Sequence, residues 1–231
     1  MKIKKHIPNS LTLCNLLSGC IGSIAALNGE FNISFACVLL SGCFDFLDGF
    51  SARMLGAYSE IGKELDSLAD LISFGLAPSL TLFSFYASQP HAFKWLGYLS
   101  LLIVAFSALR LAKFNLDERQ SKSFIGMPTP ACALLVIPMC VYGSGDNYFH
   151  FLLCTEWFIP TLSVALSLLL VSEIPMLSMK QLSSKLRAFL VGSAMLVIVC
   201  GVFVECSLSL WITVVFIYYI LLNIGSLRKE V

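Results

Sequence analysis

Four aspartates stand at positions 45, 48, 66 and 70 of a chain that is otherwise strongly apolar. Asp45 and Asp48 are three residues apart, and Asp66 and Asp70 four apart, so on helices each pair shares one face. If the two helices are consecutive and antiparallel, the pairs confront each other. Four carboxylates brought together repel one another unless something neutralises them. An all-acid, all-oxygen donor set suits hard divalent cations, Mg²⁺ or Mn²⁺, and two such ions balance four negative charges. Two metals side by side are the apparatus of phosphoryl chemistry. The plainer reading makes these acids a solvated face or helix caps. Against it, an Asp at mid-membrane costs roughly 2.5–3.5 kcal/mol on insertion scales, and acids inside apolar spans are functional by default.

Small and basic neighbours fit the same chemistry. Gly49 follows Asp48, and Gly62 lies one turn before Asp66. Glycine within a helix costs about 1 kcal/mol against alanine, so each is expected where a ligand or a neighbouring helix comes close. Arg53 lies eight residues beyond Asp45, near the same face. It is placed to meet a phosphate or nucleotide, or to anchor the cytoplasmic boundary.

The elements that must position these groups are membrane helices. Of 231 residues, 58% are apolar and 13% charged, and the mean hydropathy is +0.85. Soluble domains average about 45–50% apolar and about 25% charged, so an ordinary cytosolic domain, a disordered chain and a secreted disulfide scaffold are excluded. A net charge of +1 gives no argument for nucleic acid. Apolar stretches at 9–28, 31–56, 64–87, 93–113, 129–144, 148–171, 187–204 and 208–226 predict an all-α polytopic helix bundle. It would have about eight transmembrane helices at about 20 residues per span, forming a single domain over 1–231 whose last two helices add a C-terminal hairpin. Turn chemistry marks the breaks at Asn28-Gly29-Glu30, Ser88-Gln89-Pro90-His91, Gly143 to Asn147, and Glu205-Cys206-Ser207.

An even number of spans puts both termini on one side. That side then receives every Lys and Arg except Lys94, and positive charge marks the cytoplasm. Stretch 31–56 as helix would be about 38 Å long against a bilayer core of about 30 Å. Its cytoplasmic end should protrude, with Asp45 and Asp48 near the headgroup boundary. The basic start and apolar run could be mistaken for a secretory signal, but Ser23-Ile24-Ala25 is a poor cleavage site. Tyr98, Trp157, Trp211 and Tyr218 are either interface anchors or core aromatics. The nine cysteines form no C-x-x-C pair and read as small buried apolar residues.

Written out, the acidic segment is D-x2-D-G-x2-A-R-x8-G-x3-D-x3-D, carried by Asp45, Asp48, Gly49, Ala52, Arg53, Gly62, Asp66 and Asp70. It resembles the signature of the CDP-alcohol phosphatidyltransferase family, whose members transfer a phosphatidyl group from a CDP-linked lipid to an alcohol and release CMP. The resemblance implies that Asp45 and Asp66 bridge two metals, that Asp48 completes one site and Asp70 the other, and that Asp70 is the general base. It also implies that Gly49, Arg53 and Ser59 hold the CDP moiety, with Asn9 and Thr12 from the Pro8-Asn9-Ser10-Leu11-Thr12 segment. A homodimer in the cytoplasmic (inner) membrane, open to the cytosol, is the expected assembly.

Three further segments bear on the acceptor alcohol. Ser73 to Pro78, Leu109 to Asn115 and Phe124 to Pro130 are similar to the membrane-embedded phosphatidylserine synthases of bacteria and archaea. The implied substrates are CDP-diacylglycerol and L-serine. On the residues alone, a zwitterionic acceptor needs a cation for its carboxylate; Arg110 could supply it, with Asn115 and Ser73 as polar neighbours, or Arg110 could be a boundary anchor. Two rivals stand beside this reading. One is a sibling enzyme with glycerol phosphate, inositol phosphate or an archaeal lipid donor. The other is a divalent-cation pathway, for which a second acidic ring is missing.

Overall fold

In the computed structural model, residues 6–116, 124–145, 147–176 and 208–226 are described. The first helix shows the logic of the whole. In α1, His6–Leu27, the residues turned inward are Asn15, Ser18, Gly19, Gly22 and Ala26. Leu13, Leu17, Ile21 and Ile24 form a helical stripe that is left exposed. Large apolar residues outside and small or polar ones inside invert the soluble pattern. Such packing suits helices surrounded by lipid, where small residues let backbones approach and hydroxyls join neighbours.

Gly29, at φ 77°, reverses the chain into α2, Phe31–Leu55. The next helix, α3, runs over Glu60–Ser88. It is α-helical to Asp70, takes a wide π turn over Leu71–Leu76, and resumes as α-helix at Ala77. Helix α4, Lys94–Leu116, opens with a 3₁₀ stretch over Lys94–Leu101. Then follow α5 (Thr129–Gly143), α6 (Tyr148–Leu153), α7 (Phe158–Val171) and α8 (Leu208–Ser226). Helix α1 packs along α2 and the length of α3, α4 pairs with α7, and α8 lies against α5. The main core gathers Leu82, Phe85, Tyr86, Ile103, Met127, Val136 and Ile159.

Four helices, α1 to α4, are long and apolar enough to cross a membrane, and α5, α7 and residues Leu208–Ile220 of α8 are shorter apolar helices. The expected single stretch 148–171 is two helices, parted by a turn at residues 154–157. The reason is a long-range contact. Glu156 uses its carboxylate to accept the Phe93 backbone N–H at 2.8 Å, at the N-terminus of the 3₁₀ stretch. The expected stretch 187–204 lies outside the described residues.

The segment after α4 has its own anchor. Phe124–Ile125 (β1) pairs antiparallel with Pro175–Met176 (β2) in a two-residue ladder. Gly126, at φ 77°, then sits so close to the end of α7 that a Cβ would lie 2.6 Å from the Leu170 carbonyl oxygen. Its N–H donates to Ile174, and that of Met127 to Leu169. The chain is thereby pinned just before Thr129 enters α5. The seven cysteines among the described residues are free. Tyr98, Trp157 and Tyr218 are exposed, whereas the Trp211 indole nitrogen is buried.

Candidate active site

The acidic site is assembled by one tight reversal. Gly56 ends α2 in the left-handed conformation (φ 57°), with the N–H of Ala57 returning to the Ala52 carbonyl. This is the αL closure that glycine makes without a Cβ penalty. Ser59 then caps α3, its Oγ accepting the Gly62 N–H at 3.0 Å. At Gly62 a Cβ would come within 2.9 Å of Ser59 Oγ and 3.1 Å of Asn9 Oδ1. Its missing side chain therefore admits α1 to the start of α3. The short reversal sends α3 back along α1, which packs on both α2 and α3, and brings Asp66 of α3 to Asp45 and Asp48 of α2.

One carboxylate oxygen from each of Asp45, Asp48 and Asp66 lies within 4.8 Å of the others. Asp66 Oδ1 is buried and has no hydrogen-bond partner among the described residues. Asp48, only 5% exposed, accepts a 2.6 Å hydrogen bond from Thr12 Oγ1. A converging set of hard oxygens with an unsatisfied buried acceptor fits divalent metal. Asp45, Asp48 and Asp66 would hold it; Asp70, one turn further along α3, lies outside this group of three.

Asp70 is approached from behind. Asn15 of α1 donates its Nδ2 to Asp70 Oδ1 at 3.3 Å. Asn15 Oδ1 in turn accepts from Ser73 Oγ at 2.7 Å. Ser73 is fully buried. Expected at the acceptor alcohol, it is placed instead behind Asp70 with its hydroxyl committed to Asn15. The π turn beginning at Leu71 is the cause, because the widened turn rotates the residues after Asp70 relative to an unbroken α-helix. Wide turns of this kind recur at functional sites. Gly75 in the same turn lets α4 close in, a Cβ there meeting Ser107 at 3.1 Å.

The other expected residues fall on the rim. Arg53 Nε donates to the Gly49 carbonyl at 2.9 Å, which folds the guanidinium back along α2. A Cβ on Gly49 would meet only Arg53 Nη2, at 3.7 Å. Asn9 and Ser59 meet at Gly62. Asn115 donates to Ser67 Oγ at 2.9 Å, and its carbonyl accepts from Lys63 at 3.1 Å, clasping the end of α4 to α3 beside Asp66. Arg110 is 7% exposed. It donates from Nη1 to Thr129 Oγ1 at 3.4 Å, sits 6.0 Å from the Phe114 ring centroid, and feels the charge of Asp70.

Beside the acids, a cavity of ≈ 590 Å³ opens between α2, α3 and α5. Its walls include Val38, Phe46, Phe74 and Leu134, and among its lining residues Asp45 alone is charged. It is an apolar cleft with the acidic site at its polar end.

Asn15 was not evident as a site residue from sequence. An amide in the middle of an apolar span was the available signal, but its partners lie 55 and 58 residues away.

Known proteins resemble this chain over most of its length. The family model described as CDP-alcohol phosphatidyltransferase matches residues 5–171. The chain is 38% identical over 187 residues to the CDP-diacylglycerol–serine O-phosphatidyltransferase of Helicobacter pylori, covering 79% of this chain and 76% of that protein. It is 32% identical over 221 residues to the enzyme of the same name from Mycobacterium leprae, covering 90% and 70%. The archaetidylserine synthase of Methanothermobacter thermautotrophicus is 35% identical over 133 residues, covering 56% and 55%. The matched region holds all four acids, the glycines between them and the helices that bring Asp45, Asp48 and Asp66 together, and the chain belongs to the CDP-alcohol phosphatidyltransferase family.

Proposed function

We propose that this protein transfers the phosphatidyl group of CDP-diacylglycerol to the hydroxyl of L-serine, giving phosphatidylserine and CMP. The convergence of Asp45, Asp48 and Asp66 within 4.8 Å carries the reading, and the names of the relatives support the choice of serine.

In this reading the acyl chains lie in the apolar cleft and in the surrounding lipid. The diphosphate sits at the polar end of the cleft beside Asp45. Gly49 allows it to approach α2, and Arg53, Asn9, Ser59 and Thr12 surround the cytidylyl half. Asp45, Asp48, Asp66 and Asp70 would hold two divalent cations, Mg²⁺ or Mn²⁺. When bound, these supply Lewis-acid polarisation of the diphosphate and neutralise developing negative charge.

Asp70 accepts the proton of the serine hydroxyl. Serine Oγ forms a bond to the β-phosphorus, the bond from that phosphorus to the bridging oxygen breaks, and CMP leaves with the oxygen. A carboxylate of ordinary basicity is a weak base at neutral pH, so its positioning against the hydroxyl matters. Arg110 orients the serine carboxylate from the buried side, and Asn115 lines the route from the cytosol.

The protein is taken as a single domain over 1–231 with about eight spans. It is placed in the cytoplasmic membrane with its site facing the cytosol, and works as a homodimer. The likeness to an archaetidylserine synthase favours one second reading, in which the same diphosphate site takes an archaeal lipid donor.

The test is CMP release by the purified protein from CDP-diacylglycerol and from CDP-archaeol. Each donor is offered with serine, glycerol phosphate or inositol phosphate, with and without Mg²⁺ or Mn²⁺. Serine- and metal-dependent CMP release is expected. Release only with another acceptor would reverse the choice of serine, and metal-independent release would remove the role given to the acids.

A further inference from the structure

Asn15 is fully buried in the middle of α1, where an amide is costly unless its polar atoms are satisfied. Its side chain bridges two points of α3: Nδ2 to Asp70 Oδ1 at 3.3 Å, and Oδ1 from Ser73 Oγ at 2.7 Å. Its backbone carbonyl accepts from Ser73 Oγ at 3.0 Å and from Ser41 Oγ of α2 at 3.2 Å. The amide can stand only one way round. An ionised carboxylate accepts and cannot donate, so the NH₂ must face Asp70, and Oδ1 is left to take the Ser73 hydroxyl. A reversed amide would put oxygen against oxygen.

Two backbone features make the arrangement possible. The π turn over Leu71–Leu76 carries Ser73 round toward α1. Gly19, one turn beyond Asn15, admits it: a Cβ there would lie 2.7 Å from Ser73 Cα.

We propose that Asn15 is a positioning residue for the transfer reaction, and that Ser73 acts through it. Asn15 holds one oxygen of Asp70 so that the other faces the acids and the acceptor hydroxyl. Ser73 holds the amide oxygen on the other side, so that the amide set by Asp70 cannot swing away from it. The proposal rests on the phosphatidyl-transfer reading above.

The test uses the full-length protein, purified in lipid-supplemented detergent, as wild type, Asn15→Ala, Ser73→Ala and the double variant. Two quantities are read: kcat and KM for serine-dependent CMP release, and Mn²⁺ affinity by electron paramagnetic resonance titration without substrates. Groups that orient a ligating side chain are typically worth about 10–100-fold in metal affinity or activity. Asn15→Ala should therefore lose about 10–100-fold in kcat and bind Mn²⁺ more weakly, with KM for CDP-diacylglycerol unmoved. Ser73→Ala should lose less, and the double variant no more than Asn15→Ala, because groups acting through one contact are not additive. Asn15→Ala with wild-type kcat and Mn²⁺ affinity overturns the proposal, as does a double variant whose loss is the product of the two single losses. If Asn15→Ala does not fold, Ser73→Ala decides: a lowered kcat at unchanged KM supports the proposal, and a wild-type kcat overturns it. Wild-type protein that releases no CMP with serine would refute the reading of function instead, and the Mn²⁺ titration would still report on the contact between Asn15 and Asp70.

Discussion

Thr12 of α1 donates its hydroxyl to Asp48 of α2 across 2.6 Å, in a site where both residues are buried. The bond ties the first helix to the acid cluster and fixes which Asp48 oxygen is left for other partners. Thr12→Val keeps the shape and removes the donor. Hydrogen bonds to charged groups are worth about 1.5–3 kcal/mol, so kcat/KM should fall on the order of 10–100-fold. Thr12→Ser should retain most activity. Steady-state CMP release from the two variants checks this; equal activity in both would detach the hydroxyl from function.

Asp70→Asn separates proton transfer from architecture. The amide has nearly the size of the carboxyl and can still accept from Asn15 through its oxygen, yet it cannot take a proton from serine. General-base catalysis contributes about 10²–10⁴-fold, and Asp70 is also assigned a share of the metal site, so transfer should fall below detection. Membrane insertion and thermal stability should hold. Substantial activity in this variant would move the base role elsewhere.

The spacing of the four acids was readable because helical periodicity is local: three and four residues suffice to put carboxyls on one face. That acids of α2 and α3 would meet was readable for the same reason, since only a short turn separates the helices; that both pack along α1 was not. Ser73 was not. Its direction depends on the π turn after Asp70, and Leu71-Ile72-Ser73-Phe74-Gly75-Leu76 looks like any apolar helical run. The break after Cys154 was hidden likewise, because the group that fixes Glu156 is a backbone N–H 63 residues earlier. Long-range partners of single polar atoms leave no periodic trace.

Two glycines of similar appearance should respond in opposite ways. At Gly19 an added Cβ would collide with Ser73 Oγ and lie 2.7 Å from Ser73 Cα, so α1 must move away from α3. Gly19→Ala should cost about 1–3 kcal/mol, as overpacking does, and activity should fall with it because Asn15 is displaced. At Gly49 the nearest atom would be Arg53 Nη2, at an ordinary 3.7 Å. Gly49→Ala should raise the melting temperature slightly, since helical glycine costs about 1 kcal/mol against alanine, and raise KM for CDP-diacylglycerol. Melting curves and donor saturation curves together distinguish the two. A destabilised Gly49→Ala would show that the glycine serves packing.

At the far end of α3, His91 stacks on Tyr86 with ring centroids 4.0 Å apart, and its Nε2 is buried. Burial holds the His91 pKa below the usual value; Glu156 nearby opposes this less strongly, and Lys94 adds to it. The folded state therefore favours neutral imidazole, while the unfolded chain binds the proton more readily. The His91 contribution to stability is complete above its unfolded pKa of about 6.5. It is lost as pH falls through that value toward the lower folded pKa. His91→Phe keeps the stacking and removes the proton site. Its melting temperature between pH 8 and 5 should decline less than that of wild type. Parallel curves would exclude His91 from the acid sensitivity.

Arg110 offers the sharpest test of acceptor choice. Its guanidinium is buried, and beyond the single bond to Thr129 its Nε has no hydrogen-bond partner among the described residues. A buried cation left with an unused donor is costly, and Asp70 is foremost among the groups whose field it feels, with Cys132 and Tyr219 after it. Two roles follow. If Arg110 receives the serine carboxylate, the planar fork is needed, because lysine offers a point charge and no bidentate geometry. Arg110→Lys should then raise KM for serine about tenfold or more, taking about 1.5–3 kcal/mol for a charged hydrogen bond, and leave KM for CDP-diacylglycerol unchanged. If Arg110 only balances Asp70, lysine preserves the charge, serine KM stays put and kcat alone drifts. Saturation curves for both substrates on this one variant decide between a residue that reads the acceptor and one that steadies the base.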